Sequence, residues 1–229
     1  MPNTIFRTLI KSVFTKPIQV LAPEINTKNY VPLDLSPSNL DLKKVDVSSS
    51  KKLASYINSH LKEHHEKLAY GGYLEVRDIY KRSTYFNSED NLSERNIHIG
   101  MDLWCEAGSF VLAALDGTVH SFNNNTNHGD YGPTIILKHT YPNFEFYTLY
   151  GHLSLDSIAS LEIGQTVNQG EKIAELGASD VNGDYPPHLH FQIIKDIQEY
   201  SGDYPGVCCQ LDLDFYSENC PDPNILLNI

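Results

Sequence analysis

The chain has 229 residues and a mass of 25.8 kDa, with 41% hydrophobic and 20% charged residues, the proportions of a folded protein with a sizeable core. Wholesale disorder, a collagen-like repeat and a coiled coil are excluded, and no apolar run reaches the roughly 18–20 residues of a membrane span. Seventeen Lys and Arg against 29 Asp and Glu leave a formal charge of -12, the wrong sign for a phosphate backbone or an anionic surface, which argues against nucleic acid as a partner.

Residues 5–22 are moderately apolar but are interrupted by Arg7, Lys11 and Lys16, and no small-residue cleavage site follows. A secretory leader needs an unbroken apolar stretch of roughly 7–15 residues. The expected location is therefore the cytoplasm, or the periplasm or exterior if a leader has already been removed. Pro17, Pro23, Pro32 and Pro37 mark residues 17–48 as an irregular arm. Leu53, Tyr56, Ile57, Leu61, His64 and Leu68 recur at three- and four-residue steps and predict a helix over 50–70. Ser49 or Ser50 would cap this helix and Gly71-Gly72 would stop it. His60, His64 and His65 read as a partly solvated face of it, because no carboxylate or cysteine pattern accompanies them.

From residue 73 the period changes to two. SFVLAALDGTVHSF (109–122) predicts two strands around an Asp116-Gly117 hairpin turn. Further strands are expected at 134–139, 145–151, around EKIAELG after the Asn168-Gln169-Gly170 turn, and at 188–194. Short strands with little helix between them predict a mainly β fold, an antiparallel sandwich or barrel-like sheet, with an N-terminal arm and one helix. The expected organisation is arm plus helix over 1–72, a β domain over 73–195, and an extension over 196–229. The extension carries seven acidic residues and no Lys or Arg, and its Leu211, Leu213, Phe215, Ile225, Leu226 and Leu227 predict that it packs on the core. Cys105 stands alone; Cys208, Cys209 and Cys220 are plain thiols in a reducing compartment, or Cys220 bridges one of the pair in an oxidising one. The adjacent pair lacks the spacer that lets two thiolates share one zinc.

Three histidine groups carry the chemistry. On a strand His188 and His190 project to one face about 6.5 Å apart, with Gln192 next in line and Leu189, Phe191 and Ile193 facing the core. His98 and Asp102 would lie about 13 Å apart on a straight strand, too far to share an ion. Either the segment is a helical turn or the backbone bends, and Gly100 with flanking Ile97, Ile99, Met101 and Leu103 favours the bend. Two histidines and one aspartate on a zinc ion leave a fourth position open, as in hydrolytic sites. The remaining histidines suit proton transfer and oxyanion stabilisation.

The order HIGMD (98–102), AGSFVLAALDGTV (107–119), DYGPTIILKH (130–139), YTLYGHLS (147–154), IGQTVNQGEKIAELG (163–177) and PHLHFQ (187–192) resembles the lysostaphin-type, LytM-like zinc metallopeptidases over Gly72–Ile194. That resemblance implies one Zn2+ held by His98, Asp102 and His190, with His152 and His188 as catalytic histidines. It also implies the antiparallel β-sandwich called the duplicated hybrid motif, and a peptide or muropeptide substrate drawn from peptidoglycan. Two positions depart from the family pattern: Pro186-Pro187 stand where Gly-Pro is usual, and Gln192 where Glu is usual. Arg77 corresponds to the family's upstream arginine. His139 is a candidate to support the site from a strand end, whereas His120 and His128 read as surface residues. The segment 70–86 either shapes a groove wall or simply packs. Two other readings stay open: a non-catalytic binding or regulatory module, against which all five site positions argue, and a cytosolic zinc hydrolase of a small amide or peptide. Relatives of residues 70–139 resemble segments joined to intracellular enzymes, which favours the latter. The proline-rich arm is a candidate flap over the groove.

Overall fold

Alternating apolar residues in strands between positions 101 and 194 build most of one long sheet with two chemically different faces. The computed structural model describes residues 1–14, 17–22, 30–88, 90 and 92–229; Lys16 and Pro23 lie outside the described residues. Among the described residues there are four α-helices rather than one. Helix α1 (Asn3–Val13) buries Phe6 and Ile10, one turn apart. Part of the proline-rich arm is strand, β1 (Tyr30–Pro32), rather than irregular chain.

Helix α2 (Ser50–His64) is capped by Ser49, whose hydroxyl accepts from the Lys52 amide, and it ends on left-handed His65. It stops before the predicted end because Leu68–Gly71 instead form β2, which is drawn into the sheet. His64 and His65 are exposed on this helix, as the period implies.

The remaining strands are β3 (Glu75–Val76), β4 (Ile97–His98), β5 (Met101–Trp104), β6 (Phe110–Leu112), β7 (Gly117–Asn125), β8 (Gly132–Tyr141), β9 (Phe144–Gly151), β10 (Thr166–Val167), β11 (Lys172–Glu175), β12 (His188–Ile194) and β13 (Val207–Cys208). Eight of them form a sheet in the order β1-β2-β5-β12-β9-β8-β7-β10, antiparallel except for the edge pair β1 and β2. The pairs β6–β11 and β13–β4–β3 form two small sheets. The hairpin expected at Asp116-Gly117 is absent: β6 pairs with β11 while β7 pairs with β8 and β10, because Ala113, Ala114 and Leu115 between them sink into the core.

One face of the long sheet presents Leu103, Leu137, Tyr150, Leu189, Phe191 and Ile193, which pack with Val111 and Ala174 of the β6–β11 pair and with Phe6 and Ile10 of α1. The opposite face presents Ile136, Leu149 and Ile194, buried against Tyr204, Cys208 and Cys220 of the C-terminal extension. That extension, with helices α3 (Leu213–Asn219) and α4 (Asn224–Leu227), is anchored through Cys220, Leu226 and Leu227, but Leu211 and Phe215 remain exposed rather than packed. All four cysteines are buried free thiols. No helix among the described residues is long and apolar enough to cross a membrane.

Candidate metal centre

The polar face of β12 carries the centre. His190 lies opposite Asp102 of β5 on one side and Gly151 of β9 on the other. His98 belongs to the separate small sheet, so the chain leaves β4 and enters β5 through Ile99-Gly100, a bend that turns His98 and Asp102 toward one point. Gly100 is required by proximity: a Cβ there would stand 2.5 Å from the His190 ring.

His98 Nε2 and His190 Nδ1 are 2.8 Å apart, and each is 3.2 Å from Asp102 Oδ1. For an ion ligated tetrahedrally at about 2.0–2.1 Å, the donors stand about 3.3 Å apart, so this triangle matches one face of such a tetrahedron within a few tenths of an ångström. The outer hydrogen bonds assign the tautomers. His98 Nδ1–H donates to the Gly72 carbonyl at 2.8 Å, and His190 Nε2–H donates to Gln192 Oε1 at 2.9 Å. Two imidazole lone pairs and a carboxylate oxygen therefore converge on one point, an arrangement that repels itself unless a cation sits between them. Two nitrogens and one oxygen form a donor set suited to zinc. His98, Asp102 and His190 could thus hold a metal ion.

His188 and His152 flank this triangle. Their Nδ1–H groups donate to the carbonyls of Pro186 and Asn182, each at 2.8 Å, which leaves both Nε2 atoms free. His188 Nε2 is 3.7 Å from Asp102 Oδ1. The His188 ring stacks on Trp104 at 3.9 Å and on His152 at 4.1 Å. By strand alternation His152 would share the core face with Tyr150. Its left-handed backbone, φ 63°, turns it to the other face instead, fixed by His152 N–H to Tyr131 and Gly177 N–H to His152.

Charge is arranged around a carboxylate. Arg77 donates from Nη1 to Asp102 Oδ2 at 2.5 Å and from Nε to Glu75 at 2.6 Å, while Glu75 accepts from the Leu35 amide at 3.0 Å. Arg77 is remote from His98 in sequence, but β3 pairs with β4 and carries it to the site. Burial opposes ionisation of Asp102, yet His98 and Arg77 more than offset this and hold its carboxyl well below the ordinary range. Burial pulls His98 and His188 down to about 4 and His152 well below its usual value. At neutral pH His98, His152 and His188 are neutral and the aspartate ionised; metal binding requires those states of His98 and Asp102.

These residues line a cavity of about 150 Å³ walled by Tyr80, Tyr85, Phe86, Tyr131, Tyr185 and Tyr200. The segment 70–86 thus both shapes a wall and packs, since Tyr80 and Phe86 also belong to the cluster around α2. Of the described arm residues only Leu35 borders the cavity. His139 is corrected by the structure. It lies on the core face of β8, about 24 Å along the strand from Gly132, and its ring nitrogens bond the Asp116 carbonyl and the Thr148 hydroxyl. His128 is exposed and His120 half-buried against Tyr147. Trp104 and Asn182 were not singled out from sequence. Trp104 shares the Asp102 face of β5 by simple alternation, whereas Asn182 acts through a main-chain carbonyl and leaves no residue-type signal.

A β-rich fold thus carries a buried His–Asp–His triangle that could hold a metal ion, with two further histidines beside it. Residues 96–201 match the model of peptidase family M23, and over that stretch the chain is similar to LytM-like members of that family. It is 35% identical over 95 residues to an uncharacterized metalloprotease of Haemophilus influenzae, covering 42% of this chain and 18% of that protein. The chain therefore spans less than a fifth of the length of that relative. Among solved structures it is similar to the catalytic domain of lysostaphin from Staphylococcus simulans (22% identity, 53% of this chain and 80% of that one, TM-score 0.36). It is also similar to a zinc-containing peptidase of Vibrio cholerae (31% identity, 47% and 30%, TM-score 0.35).

Proposed function

We propose that the protein is a zinc-dependent metallopeptidase that hydrolyses peptide bonds of muropeptide-like substrates, with His98, Asp102 and His190 as ligands. The observation that carries this reading is the convergence of two imidazole lone pairs and one carboxylate oxygen, within 2.8–3.2 Å of one another, in a cavity of about 150 Å³. Zinc, when bound there, would polarise the scissile carbonyl and acidify a water molecule. His188 and His152 hold unprotonated Nε2 atoms beside the triangle, with their opposite nitrogens tied to the main chain. His188, next to Asp102, accepts a proton from the attacking water and is stabilised as its cation by that carboxylate; His152, its Nε2 unprotonated at rest, takes up a proton there before it donates toward the developing oxyanion and the leaving amine.

Metal analysis and muropeptide turnover test the assignment together. His190→Ala should abolish zinc retention. His152→Ala should keep about one zinc per chain and lose turnover by roughly 10²–10⁴-fold, the range of a general acid–base group. Full activity in His152→Ala would remove its catalytic role, and stoichiometric zinc in His190→Ala would remove the ligand assignment.

A further inference from the structure

We infer that the site takes short soluble peptides of about two residues and does not act on intact cross-linked wall polymer; this rests on the hydrolase reading above. His98, Asp102, His152, His188 and His190 are each no more than 5% exposed. A groove that threaded a polymer across the metal would leave these groups open along its length. The space above these groups, about 150 Å³ and open on one side, holds roughly ten water molecules at 10–15 Å³ each, which is the bulk of a dipeptide. It is also below the roughly 300–1,000 Å³ of ordinary ligand pockets.

About half of the lining comes from chain flanking the family-matched residues. Tyr80, Tyr85 and Phe86 precede residue 96, and Tyr204, Pro205, Gly206 and Val207 follow residue 201. These flanks are fastened to the sheet. On one side Ile99 N–H bonds Gly206, Asn96 N–H bonds Cys208, and Gly202 N–H bonds the Ser121 hydroxyl. On the other side Arg77 N–H bonds Asn96, Arg95 N–H bonds Phe86, and Arg82 Nη2 bonds the Asp184 carbonyl at 2.7 Å. The aromatic rim is Tyr85 and Tyr200, 40% and 37% exposed, the outermost tyrosines of the cavity. Walls held by main-chain bonds on both sides do not swing aside as a hinged lid would, so substrate length is limited by the built space.

The chain's single tryptophan, Trp104, lies in this cavity against His188, so its fluorescence reports occupancy independently of turnover. The experiment uses full-length zinc-loaded protein and, for binding, zinc-loaded His152→Ala. Probes are di- and tripeptides of stem-peptide composition, the same sequences extended and capped at both ends, and insoluble cross-linked peptidoglycan. Short peptides should change Trp104 emission and be hydrolysed with kcat/KM about a hundredfold above the extended ones, an advantage set by steric exclusion from the pocket. Peptidoglycan should release nothing. The double variant Tyr85→Ala/Tyr200→Ala should raise the long-to-short ratio about tenfold. Wall digestion by the wild type, or extended peptides that bind and react as well as short ones, would overturn the inference and leave the hydrolase reading intact. A zinc-loaded protein that binds short peptides yet hydrolyses nothing would overturn the hydrolase reading while upholding the size limit on binding.

Discussion

Replacing Gln192 by Met would remove the fully buried amide that joins the metal centre to the C-terminal extension. Gln192 Oε1 accepts from His190 Nε2–H at 2.9 Å, while its Nε2 donates to the Pro205 carbonyl at 3.1 Å and to Cys220 Sγ at 3.2 Å. In the variant His190 loses the acceptor that fixes its tautomer, and only the long 3.4 Å contact to the Tyr131 hydroxyl remains. Loss of such an outer partner typically costs ten- to a hundredfold in metal affinity, about 1.4–2.7 kcal/mol. The Pro205 carbonyl is left without its side-chain donor as well, which costs the metal-free protein about 1–3 kcal/mol. Gln192→Glu separates the two effects, since its carboxylate still accepts from His190 but cannot donate to Pro205 in its ionised form. Zinc competition with a chromophoric chelator measures the first effect, and urea unfolding of the metal-free protein measures the second. Gln192→Met should lose both, whereas Gln192→Glu should keep or tighten zinc binding and lose stability. Wild-type zinc affinity in Gln192→Met would refute the claim that this side chain orients the ligand.

Arg77→Met would leave buried Asp102 and half-buried Glu75 without their counter-charge, a loss of about 3–5 kcal/mol in the metal-free protein, chiefly from Asp102. Zinc supplies positive charge to Asp102, so the loss in melting temperature should be smaller at saturating zinc; equal losses with and without metal would contradict this. His139 makes a separate prediction about acid. Burial holds it down to about 4 in the folded protein, against about 6.5 unfolded. Between those values the unfolded chain binds a proton that the folded one refuses, so stability is present above about 6.5 and falls as pH drops toward 4. One such group contributes about 2 kcal/mol of destabilisation at pH 5 relative to neutrality. His139→Asn can keep a donor to Asp116 without a titration, and it should therefore lose about 2 kcal/mol less than wild type between pH 7 and pH 5 in urea titrations of the metal-free protein. Parallel profiles would show that this imidazole already titrates normally.

Much of the centre was legible because its logic is local. Two-residue spacing put His188, His190 and Gln192 on one face, and the distance between His98 and Asp102 demanded a bend at Gly100. What sequence hid was non-local. The Asp116-Gly117 pair has the composition of a hairpin, yet strand pairing is decided by partners far along the chain, and β11 competes for β6. His139 was placed beside the site because it follows a strand, but seven residues beyond Gly132 it lies at the opposite end of β8 and on the opposite face. His152 breaks the alternation that located the others, and a left-handed non-glycine residue carries no compositional mark. The carbonyls that set the tautomers belong to Gly72, Pro186 and Asn182, where the side chain says nothing about the acceptor.

Supports of the two candidate ligand imidazoles and of the aspartate lie outside residues 96–201, the stretch that the family model matches. Gly72, Arg77 and Pro205 fall beyond residues 96–201, yet they steady His98, Asp102 and, through Gln192, His190. A fragment trimmed to residues 96–201 would inherit every donor atom and forfeit the scaffolding that aims them. Transplanting this centre into another protein is thus a matter of moving both margins along with the motif.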